Sequence, residues 1–456
     1  DWKLGFVGRN GRGKTTFLQL LTGKYEYSGK IVSSVQFDYF PYPVRDKTAD
    51  TIEVLHKVCP EAEEWQLMRE LMQLDVECDC LYRPFNTLSS GEQTKVLLSA
   101  LFLNEGHFLL IDEPTNHLDM QARALLSAYL SKKKSFILVS HDRSFLDDCV
   151  DHILSLNRAN IEVQSGNFSS FMRNFEQQQA NECKQNSRLQ TDIKRLKESS
   201  RRTAGWADAV EKSKIGASDK GYVGHKSAKM MKRAKVTEAH IQNEIEEKSK
   251  LLKNTELESE LKLSPLPCPA ERLVTFAAVS PVYDGKEVCA PVSFEIKRGN
   301  RIALSGKNGC GKSSLLKLLC GESIEHRGKI ETSTNLVISY VSQDTSFLHG
   351  SLTEIAEQHG IDESLFKAIL HKMGFLKEQF EKDVAAFSDG QKKKTLLAKS
   401  LCERAHLYVW DEPLNFIDVY SRIQIENLLL QFAPTMIFVE HDKTFREKIA
   451  TSVVTL

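Results

Sequence analysis

Two glycine-rich segments contain the residues with the most specific chemistry. Residues 8–15 read GRNGRGKT and residues 306–313 read GKNGCGKS, and each segment lies between a predicted strand and a predicted helix. Glycines allow backbone N–H groups to close around phosphate oxygens, the lysine adds a charge at the outer phosphates, and the following hydroxyl can ligate magnesium. The two segments therefore predict two phosphate-binding loops.

Each predicted loop runs into the N-terminus of a helix, whose partial positive charge favours an anion. Lys14 and Lys312 are predicted to contact phosphate, and Thr15 and Ser313 to hold magnesium. The predicted nucleotide-binding residues of the two loops are Gly8, Asn10, Gly11, Gly13, Lys14, Thr15 and Thr16, and Gly306, Asn308, Gly309, Gly311, Lys312, Ser313 and Ser314.

Paired carboxylates follow two apolar runs, at residues 107–111 and 406–410. Asp112 and Asp411 come first and are placed to hold the magnesium ion. Glu113 and Glu412 follow directly, where a carboxylate can orient and polarise an attacking water. The pattern predicts nucleotide hydrolysis with these two glutamates as the catalytic residues.

Two histidines come after two further apolar runs, at positions 141 and 441. A lone histidine is more often structural, but this one recurs at the same place in both halves. We therefore predict that His141 and His441 contact the outer phosphate and take part in catalysis.

These motifs occur twice in the same order, at offsets of 298 to 300 residues. The segments LSSGE at 88–92 and FSDGQ at 387–391 belong to the same series. Self-similarity of this kind indicates a duplicated domain. We predict a first nucleotide-binding domain at 1–165, a linker at 166–264 and a second nucleotide-binding domain at 265–456.

The predicted linker differs in character from its neighbours. It contains no proline, whereas Pro265, Pro267 and Pro269 follow it closely and mark a boundary. Its apolar residues recur with the helix period. A glycine group at 205, 216, 221 and 224 predicts a loop between two helices, each of about 30 residues and about 45 Å. The expected structure is a projecting helical hairpin, or arm.

The second phosphate loop has about 30 residues of its own copy before it, and the first has seven. We therefore expect a piece upstream of the first loop to be missing. The apolar content of 41% and charged content of 27% are typical of soluble globular proteins. No apolar stretch approaches the roughly 20 residues that cross a bilayer. The scattered cysteines and the lack of a visible leader favour a cytoplasmic protein with structural thiols.

Positive charge is concentrated in one part of the chain. The formal net charge is zero, but residues 184–235 contain 15 Lys and Arg against 5 Asp and Glu. Such a segment attracts phosphate backbones, and Trp206 and Tyr222 are candidates for stacking on bases. A solvated charged coil, with Trp206 only fixing the turn, is the alternative that charge and spacing leave open.

Taken together, the motifs resemble the ATP-binding cassette (ABC) superfamily over essentially the whole chain. The resemblance implies an α/β fold with two tandem P-loop ABC-type domains, each with a helical subdomain, joined by a long α-helical hairpin. It also implies that the domains face head to tail, with Tyr283 binding nucleotide and Gln343 assisting the metal. Signature residues would complete the opposite site: Ser89, Gly91, Glu92, Ser388, Gly390 and Gln391.

Two cassettes with a charged helical linker resemble the ABC-F subfamily. The segments 40–43 (FPYP), 225–233 (HKSAKMMKR) and 411–418 (DEPLNFID) are most similar to Lsa-type antibiotic-resistance proteins. The resemblance implies a monomer that binds ATP and Mg²⁺. It also implies ribosome binding, in which the arm contacts 23S rRNA and P-site tRNA near the peptidyl-transferase centre. Protection against lincosamides, pleuromutilins and streptogramin A would follow.

The sequence departs from the family pattern at three places. Tyr42 stands where the family has the glutamine that the second copy keeps as Gln343, and Ser90 and Asp389 replace a signature glycine. We therefore expect unequal sites. Two other functions stay open: a housekeeping ABC-F translation factor without a drug phenotype, and the ATPase subunit of a transporter, which gives no role to a basic arm.

Overall fold

The computed structural model describes residues 2–116, 118–156, 161–212, 236, 239–240 and 263–456. The chain forms two compact units. One comprises Asp1–Phe171 together with Ser259–Leu456, and the other comprises Met172–Glu258. Both repeats of the sequence belong to the first unit, which therefore contains all the residues that carry the predicted nucleotide chemistry.

The first repeat is built on a six-stranded sheet. Its strands are β1 (Lys3–Val7), β2 (Gln36–Phe40), β3 (His107–Asp112), β4 (Phe136–Val139), β5 (His152–Leu156) and β6 (Ile161–Ser165). The spatial order is β2-β3-β4-β1-β5-β6, with all neighbours parallel except β5 and β6. The carboxyl ends of the parallel strands meet at one edge, and ligands bind at that edge in open α/β sheets.

In the described part of this repeat six helices accompany the sheet, a seventh begins the linker, and local side-chain caps begin several of them. The side chains of Ser89, Asp119 and Asp142 accept hydrogen bonds from backbone N–H groups three residues further on, which satisfies donors that a helix start leaves unpaired. The helices are α1 (Lys14–Leu21), α2 (Thr51–Val58), α3 (Glu64–Gln73), α4 (Ser90–Leu101), α5 (Met120–Leu130), α6 (Arg143–Cys149) and α7 (Phe168–Lys212).

The second repeat contains nine strands. They are β7 (Arg272–Tyr283), β8 (Lys286–Glu287), β9 (Val292–Lys297), β10 (Arg301–Ser305), β11 (His326–Thr332), β12 (Ile338–Val341), β13 (Leu407–Asp411), β14 (Met436–Val439) and β15 (Ser452–Thr455). Five of them form a parallel sheet in the order β12-β13-β14-β10-β15, and β7, β8, β9 and β11 form an antiparallel sheet.

Strand order in the two parallel sheets is the same. Position by position, β2-β3-β4-β1-β5 corresponds to β12-β13-β14-β10-β15. The second repeat adds α8 (Lys312–Leu319), α9 (Leu352–Gln358), α10 (Glu363–Lys372), α11 (Asp389–Cys402), α12 (Val419–Phe432) and α13 (Lys443–Ile449). The prediction of two tandem α/β domains, each with additional helices, is confirmed.

Large apolar side chains fix the position of the second sheet. Tyr408 and Trp410 on β13 are fully buried, and Trp410 Nε1 donates to Ser400 Oγ of α11 at 3.0 Å. The strand that ends in Asp411 is therefore held against the helix that begins at the second signature segment. In the first repeat, Phe6 and Leu18 pack β1 against α1 in a smaller core.

The linker begins with one long helix, α7. Its start is capped by Asn167, whose Oδ1 accepts a hydrogen bond from Ser170 N at 3.1 Å, and Phe168 and Phe171 are buried. With 45 residues it is longer than the predicted limb, about 67 Å at 1.5 Å per residue. It also continues through Gly205, which the sequence assigned to a loop. One glycine costs only about 1 kcal/mol in a helix, and the neighbouring alanines are strong helix formers.

The remaining glycines of the predicted turn, Tyr222 and the second limb, apart from residues 236, 239 and 240, lie outside the described residues. Within the ranges that are described, no helix combines the length and the apolar character that a membrane span requires.

Candidate functional site

Both predicted phosphate loops join a strand end to a helix start. The first lies between β1 and α1 and the second between β10 and α8. The glycines before the helices, Gly13 and Gly311, have φ of 89° and 88°, in the left-handed region that favours glycine. This conformation turns the chain so that the backbone N–H groups at each helix start face one point.

The two loop lysines lie along their own loops. Lys14 Nζ donates to the carbonyl of Gly8 at 2.7 Å, and Lys312 Nζ donates to the carbonyls of Gly306 at 2.9 Å and Lys307 at 2.7 Å. Burial lowers the pKa of Lys14, and nearby carboxylates led by Asp418 oppose that effect. Each ammonium group is therefore held where an outer phosphate would lie in a phosphate-binding loop.

The first phosphate loop faces the second repeat across a cavity of about 360 Å³. Ser388, Gly390 and Phe416 of the second repeat form the opposite wall. The predicted residues of the first repeat that line this cavity are Asn10, Gly11, Gly13, Lys14, Thr15, Thr16, Asp112, Glu113 and His141. We call this cavity site A.

The second phosphate loop faces the first repeat across a cavity of about 520 Å³. Ser90, Leu118 and Arg123 belong to the first repeat and line its far side. The predicted residues of the second repeat that line it are Tyr283, Asn308, Gly309, Gly311, Lys312, Ser313, Ser314, Gln343, Glu412 and His441. We call this cavity site B.

Several signature residues act within their own helix caps. Ser89 Oγ and Glu92 bond each other at the start of α4, and Gln391 Oε1 accepts a hydrogen bond from Ser388 N at 3.0 Å at the start of α11. Ser90, rather than Ser89, lines site B. Glu92 and Gln391 therefore position the signature helices.

The two aspartates that the sequence predicts to hold magnesium differ in their partners. Asp112 Oδ2 accepts hydrogen bonds from Thr15 Oγ1 at 2.7 Å and from Tyr39 OH at 3.0 Å. Both carboxylate oxygens of Asp411 are buried and accept no hydrogen bond of ordinary geometry among the described residues, although the Ser313 hydroxyl lies close enough to interact. Burial raises the pKa of this group to about 6. A buried carboxylate with free lone pairs beside a loop hydroxyl suits a hard cation such as Mg²⁺.

In site A, Glu113 stands beside His141. Their Oε1 and Nε2 atoms are 3.2 Å apart. Burial, followed by the charge of Asp112, raises the pKa of Glu113 to about 8, and burial followed by Lys14 lowers the pKa of His141 well below its usual value. This environment favours the neutral forms of both groups.

In site B, Glu412 is held by three side chains. Its Oε2 accepts hydrogen bonds from Gln343 Nε2 at 2.9 Å and Asn415 Nδ2 at 2.5 Å, and His441 Nε2 is 3.3 Å from Oε1. Burial raises the pKa of Glu412, but the hydrogen bond with His441 and nearby positive charges outweigh it, so the pKa is lowered. Glu412 is thus an oriented carboxylate at neutral pH.

Strand pairing places Tyr42 and Gln343 at equivalent positions. Phe40 pairs with the residue before Asp112, and Val341 pairs with the residue before Asp411. Two residues further on, the chain carries Tyr42 in one repeat and Gln343 in the other. The two repeats therefore differ at this position, where Gln343 bonds Glu412 and Tyr42 takes the place of the glutamine in the first repeat.

Both predicted catalytic glutamates have an uncommon backbone conformation. Glu113 has φ of 52° and Glu412 has φ of 46°. Left-handed backbone at a non-glycine residue is strained and is frequent at functional sites. Each glutamate N–H donates to a strand carbonyl, that of Val139 or of Val439, at 2.9 and 3.0 Å, which holds the turn.

The sequence missed several residues that line the two sites, from the opposite repeat and from the same one. Leu118, Arg123 and Phe416 line the cavities, and Asn415 bonds Glu412. Asn415 and Phe416 lie between Glu412 and Asp418, so their position within the repeated motif was the available signal. Tyr283 lies at the rim of site B, with its hydroxyl 3.1 Å from Ser314 Oγ.

The matched family is the ABC transporter family, whose model covers residues 1–116 and 289–415. More than half of the chain is matched, so this protein belongs to that family. It has tandem ABC domains, binds ATP and is an ATPase.

Curated relatives match the chain almost end to end. The ATP-binding protein Uup of Caulobacter vibrioides is 29% identical, over 99% of this chain and 72% of its own length. The ribosome protection protein VmlR of Bacillus subtilis is 26% identical, over 98% of this chain and 80% of its own length. The energy-dependent translational throttle protein EttA of Mycobacterium tuberculosis is 26% identical, over 99% and 86%.

Solved structures share the fold. The archaeal ribosome recycling factor aABCE1, solved with stalk protein aP1, matches with a TM-score of 0.66 and 21% identity over 100% of this chain and 83% of its own. RNase-L Inhibitor matches with a TM-score of 0.64 and 21% identity, with the same coverage. These likenesses establish the tandem-cassette fold.

Proposed function

We propose that this chain is an ABC-F-type, ribosome-associated ATPase that protects the ribosome from antibiotics. The observation that carries the proposal is the composition of the two sites. Each phosphate loop faces residues of the other repeat across its cavity, with Ser388 and Gly390 closing site A and Ser90 closing site B. ATP bound at such a site bridges the repeats, so nucleotide binding favours their closure.

The chemistry at each site follows from the side chains already in place. Lys14 and Lys312 bind the outer phosphates, and Glu113 and Glu412 orient the attacking water. His141 and His441 stand next to these glutamates. Bound Mg²⁺ would neutralise charge on the transferred phosphate. The residues that would hold it are Thr15, Asp112, Ser313, Gln343 and Asp411, and the free oxygens of Asp411 support this assignment.

The ribosome is the partner that the relatives and the charge pattern support. VmlR is named a ribosome protection protein and EttA a translational throttle protein. Residues 184–235 carry the excess of positive charge that RNA attracts. We infer that the arm contacts 23S rRNA and P-site tRNA near the peptidyl-transferase centre, as part of a cytoplasmic monomer whose own two cassettes pair.

Closure of the repeats around ATP sets the arm for ribosome binding, and hydrolysis then releases the protein. The double variant Glu113→Gln with Glu412→Gln should bind ATP, fail to hydrolyse it, and co-sediment with ribosomes. A matched protein lacking residues 201–224 should hydrolyse ATP but co-sediment less. If the double variant sediments free of ribosomes when ATP is present, the proposal is wrong.

Drug protection distinguishes the proposal from a housekeeping translation factor, which the likeness to EttA favours as second candidate. Expression should raise the inhibitory concentrations of a lincosamide, a pleuromutilin and streptogramin A by several doublings, and the double variant should not. A housekeeping factor would leave all three unchanged. A transporter subunit, the remaining alternative, would co-purify with membrane proteins instead of ribosomes.

A further inference from the structure

The contact surface between the repeats contains a buried ion pair outside the two cavities. Arg143 Nη1 donates to Glu426 Oε2 at 3.1 Å, and Arg143 Nη2 donates to Glu426 Oε1. The two side chains are only 8% and 2% exposed. A guanidinium that binds both oxygens of a carboxylate has a fixed orientation. This fork therefore joins the first repeat to the second rigidly.

Arg143 also lies between the two histidine segments. It is the first residue of α6, two residues after His141 of site A. Its Nη2 is 3.8 Å from Oδ2 of Asp442, the residue after His441 of site B. Asp442 in turn caps α13 by accepting a hydrogen bond from the backbone of Phe445. The Arg143 guanidinium therefore lies next to Asp442 of the site B histidine segment, while Arg143 itself follows the histidine of site A by two residues.

Glu426 connects the fork to residues that line both sites. It lies on α12, which begins directly after the segment that contains Asn415 and Phe416. Phe416 lines site A, and Asn415 lines site B and bonds Glu412. A displacement of α12 would therefore move residues that line both cavities. The Arg143–Glu426 ion pair fixes the position of α12 relative to α6.

The internal repeat shows that this pair is not needed to build a cassette. The counterpart of Arg143 is Lys443, and the counterpart of Glu426 is Ser127. Lys443 Nζ is 4.0 Å from Glu447 with 62% of its side chain exposed, and Ser127 Oγ donates to Asp148 Oδ2 at 3.3 Å. The ion pair thus occurs at one of two equivalent places, so the contact surface between the two repeats is asymmetric.

We propose that Arg143 is a positioning residue that couples ATP use at sites A and B through Glu426 and Asp442. If the histidine segment of one site moved alone, the fork would open, the buried Arg143 guanidinium would lose Glu426, and Glu426 would keep only the half-exposed Lys448 as a charged partner, which is unfavourable. The two segments therefore move together, and occupation of one site promotes closure of the other. This inference rests on the ATPase activity of the family and needs no ribosome.

The test measures the steady-state ATPase rate of the purified full-length chain against ATP concentration, without ribosomes. The principal variant is the double replacement Arg143→Met with Glu426→Leu, which removes both charges and leaves neither buried alone. We expect the wild type to show a Hill coefficient above 1, with an upper limit of two for two sites. The double variant should fall to about 1 and need several-fold more ATP for half-maximal rate, with the maximal rate within about twofold.

Two further variants separate coupling from folding. Arg143→Lys keeps the charge and loses the fork, so cooperativity should be intermediate. Lys443→Met alters the counterpart position and should leave the Hill coefficient unchanged. A thermal unfolding curve for each variant identifies any that fails to fold, and Arg143→Lys, which keeps the charge, then replaces the double variant.

The proposal is overturned by any of three results: a wild type with a Hill coefficient of 1, a folded double variant that keeps wild-type cooperativity, or equal loss of cooperativity in Lys443→Met. None of these would bear on ribosome binding, which the co-sedimentation experiment tests separately.

Discussion

The side-chain amide of Asn10 donates a 2.6 Å hydrogen bond to the main-chain carbonyl of Phe416. This bond ties the first phosphate loop to the second repeat. Gly390 packs at the same point, because a Cβ atom added there would lie 2.7 Å from the Phe416 carbonyl oxygen and 3.3 Å from Asn10 Nδ2. The first phosphate loop, the start of α11 and the segment that contains Phe416 therefore pack together, and there is no room for a methyl group at Gly390.

Replacement of Gly390 by alanine should disrupt site A. The clash involves a backbone carbonyl, which cannot rotate away, and overpacking of this kind costs about 1–3 kcal/mol, or roughly a 5- to 150-fold loss in kcat/KM. The measurement is ATPase activity in the Glu412→Gln background, where site A would be the working site. Gly91→Ala, measured in the Glu113→Gln background, is the matched control. Its Cβ would meet the flexible Leu118 side chain at 3.3 Å, so a loss as large as that of Gly390→Ala would contradict the explanation.

The sequence was sufficient to predict the duplicated domains and the strand ends and helix starts at which their motifs lie. Each of those motifs is local, with glycines, carboxylates and apolar strands in fixed spacing. The Asn10 to Phe416 bond was not predictable in this way, because it joins residues 406 positions apart and its acceptor is a main-chain carbonyl. Every residue has a backbone carbonyl, so an acceptor of this kind cannot be recognised from residue type.

Differences between the two repeats could be predicted from the sequence only in part. The exchange of Gln343 for Tyr42 could be recognised because both follow alignable strands. The Arg143 to Glu426 pair could not, since its two counterparts, Lys443 and Ser127, are ordinary surface and helix residues. The prediction of a loop at Gly205 was wrong for another reason. A single glycine is a weak helix breaker among strong helix formers, so α7 continues through it.

The Glu113→Gln and Glu412→Gln single variants should lose activity unequally. Glu412 is ionised and held by Gln343 and Asn415, whereas the pKa of Glu113 is raised by burial. We expect Glu412→Gln to remove the larger share of the ATPase rate, by about 10-fold or more, as a general base typically contributes at least that much. Equal losses in the two variants would contradict unequal sites.

Gln343→Ala should weaken site B by releasing Glu412. The lost hydrogen bond of 2.9 Å orients the catalytic carboxylate, and bonds to charged groups contribute about 1.5–3 kcal/mol. In the Glu113→Gln background the maximal rate should fall about 10-fold. Tyr42→Ala in the Glu412→Gln background is the matched control and should change the rate of site A by less than about twofold.

Stability should decrease in acid partly through Glu70. This buried carboxylate accepts hydrogen bonds from Tyr129 OH at 2.6 Å and from Lys133 Nζ. Burial raises its pKa, but these partners outweigh burial, and the pKa is lowered. A depressed folded-state pKa adds stability above the unfolded pKa near 4.5, and this contribution is lost as the pH falls below that value.

The corresponding variant is Glu70→Gln, which removes the charge and keeps the shape. Its free energy of unfolding should be about 2 kcal/mol lower than that of the wild type at pH 7.5, and the difference should shrink at pH 4. Thermal unfolding at the two pH values measures it. The solvent-exposed Glu447→Gln serves as control, and a gap that stays constant with pH would exclude Glu70 as a source of the acid sensitivity.

Lys394 and Lys95 are equivalent residues, and each donates to a main-chain carbonyl, that of Met373 or of Leu74. Within the described part of the chain only Lys394 also has a carboxylate partner, so replacement of the two lysines by methionine should have different effects. Lys394 Nζ donates to Asp418 Oδ2 at 2.7 Å, and this carboxylate is fully buried, so Lys394→Met leaves an uncompensated charge and should cost about 3–5 kcal/mol. Lys95 Nζ donates to the carbonyl of Leu74 at 2.8 Å, so Lys95→Met should cost about 1 kcal/mol. Urea unfolding of the two variants measures the difference. Similar unfolding midpoints for the two variants would show that the buried charge is compensated elsewhere. Asp418 also caps α12, the helix that contains Glu426, so Lys394→Met should in addition reduce ATP cooperativity.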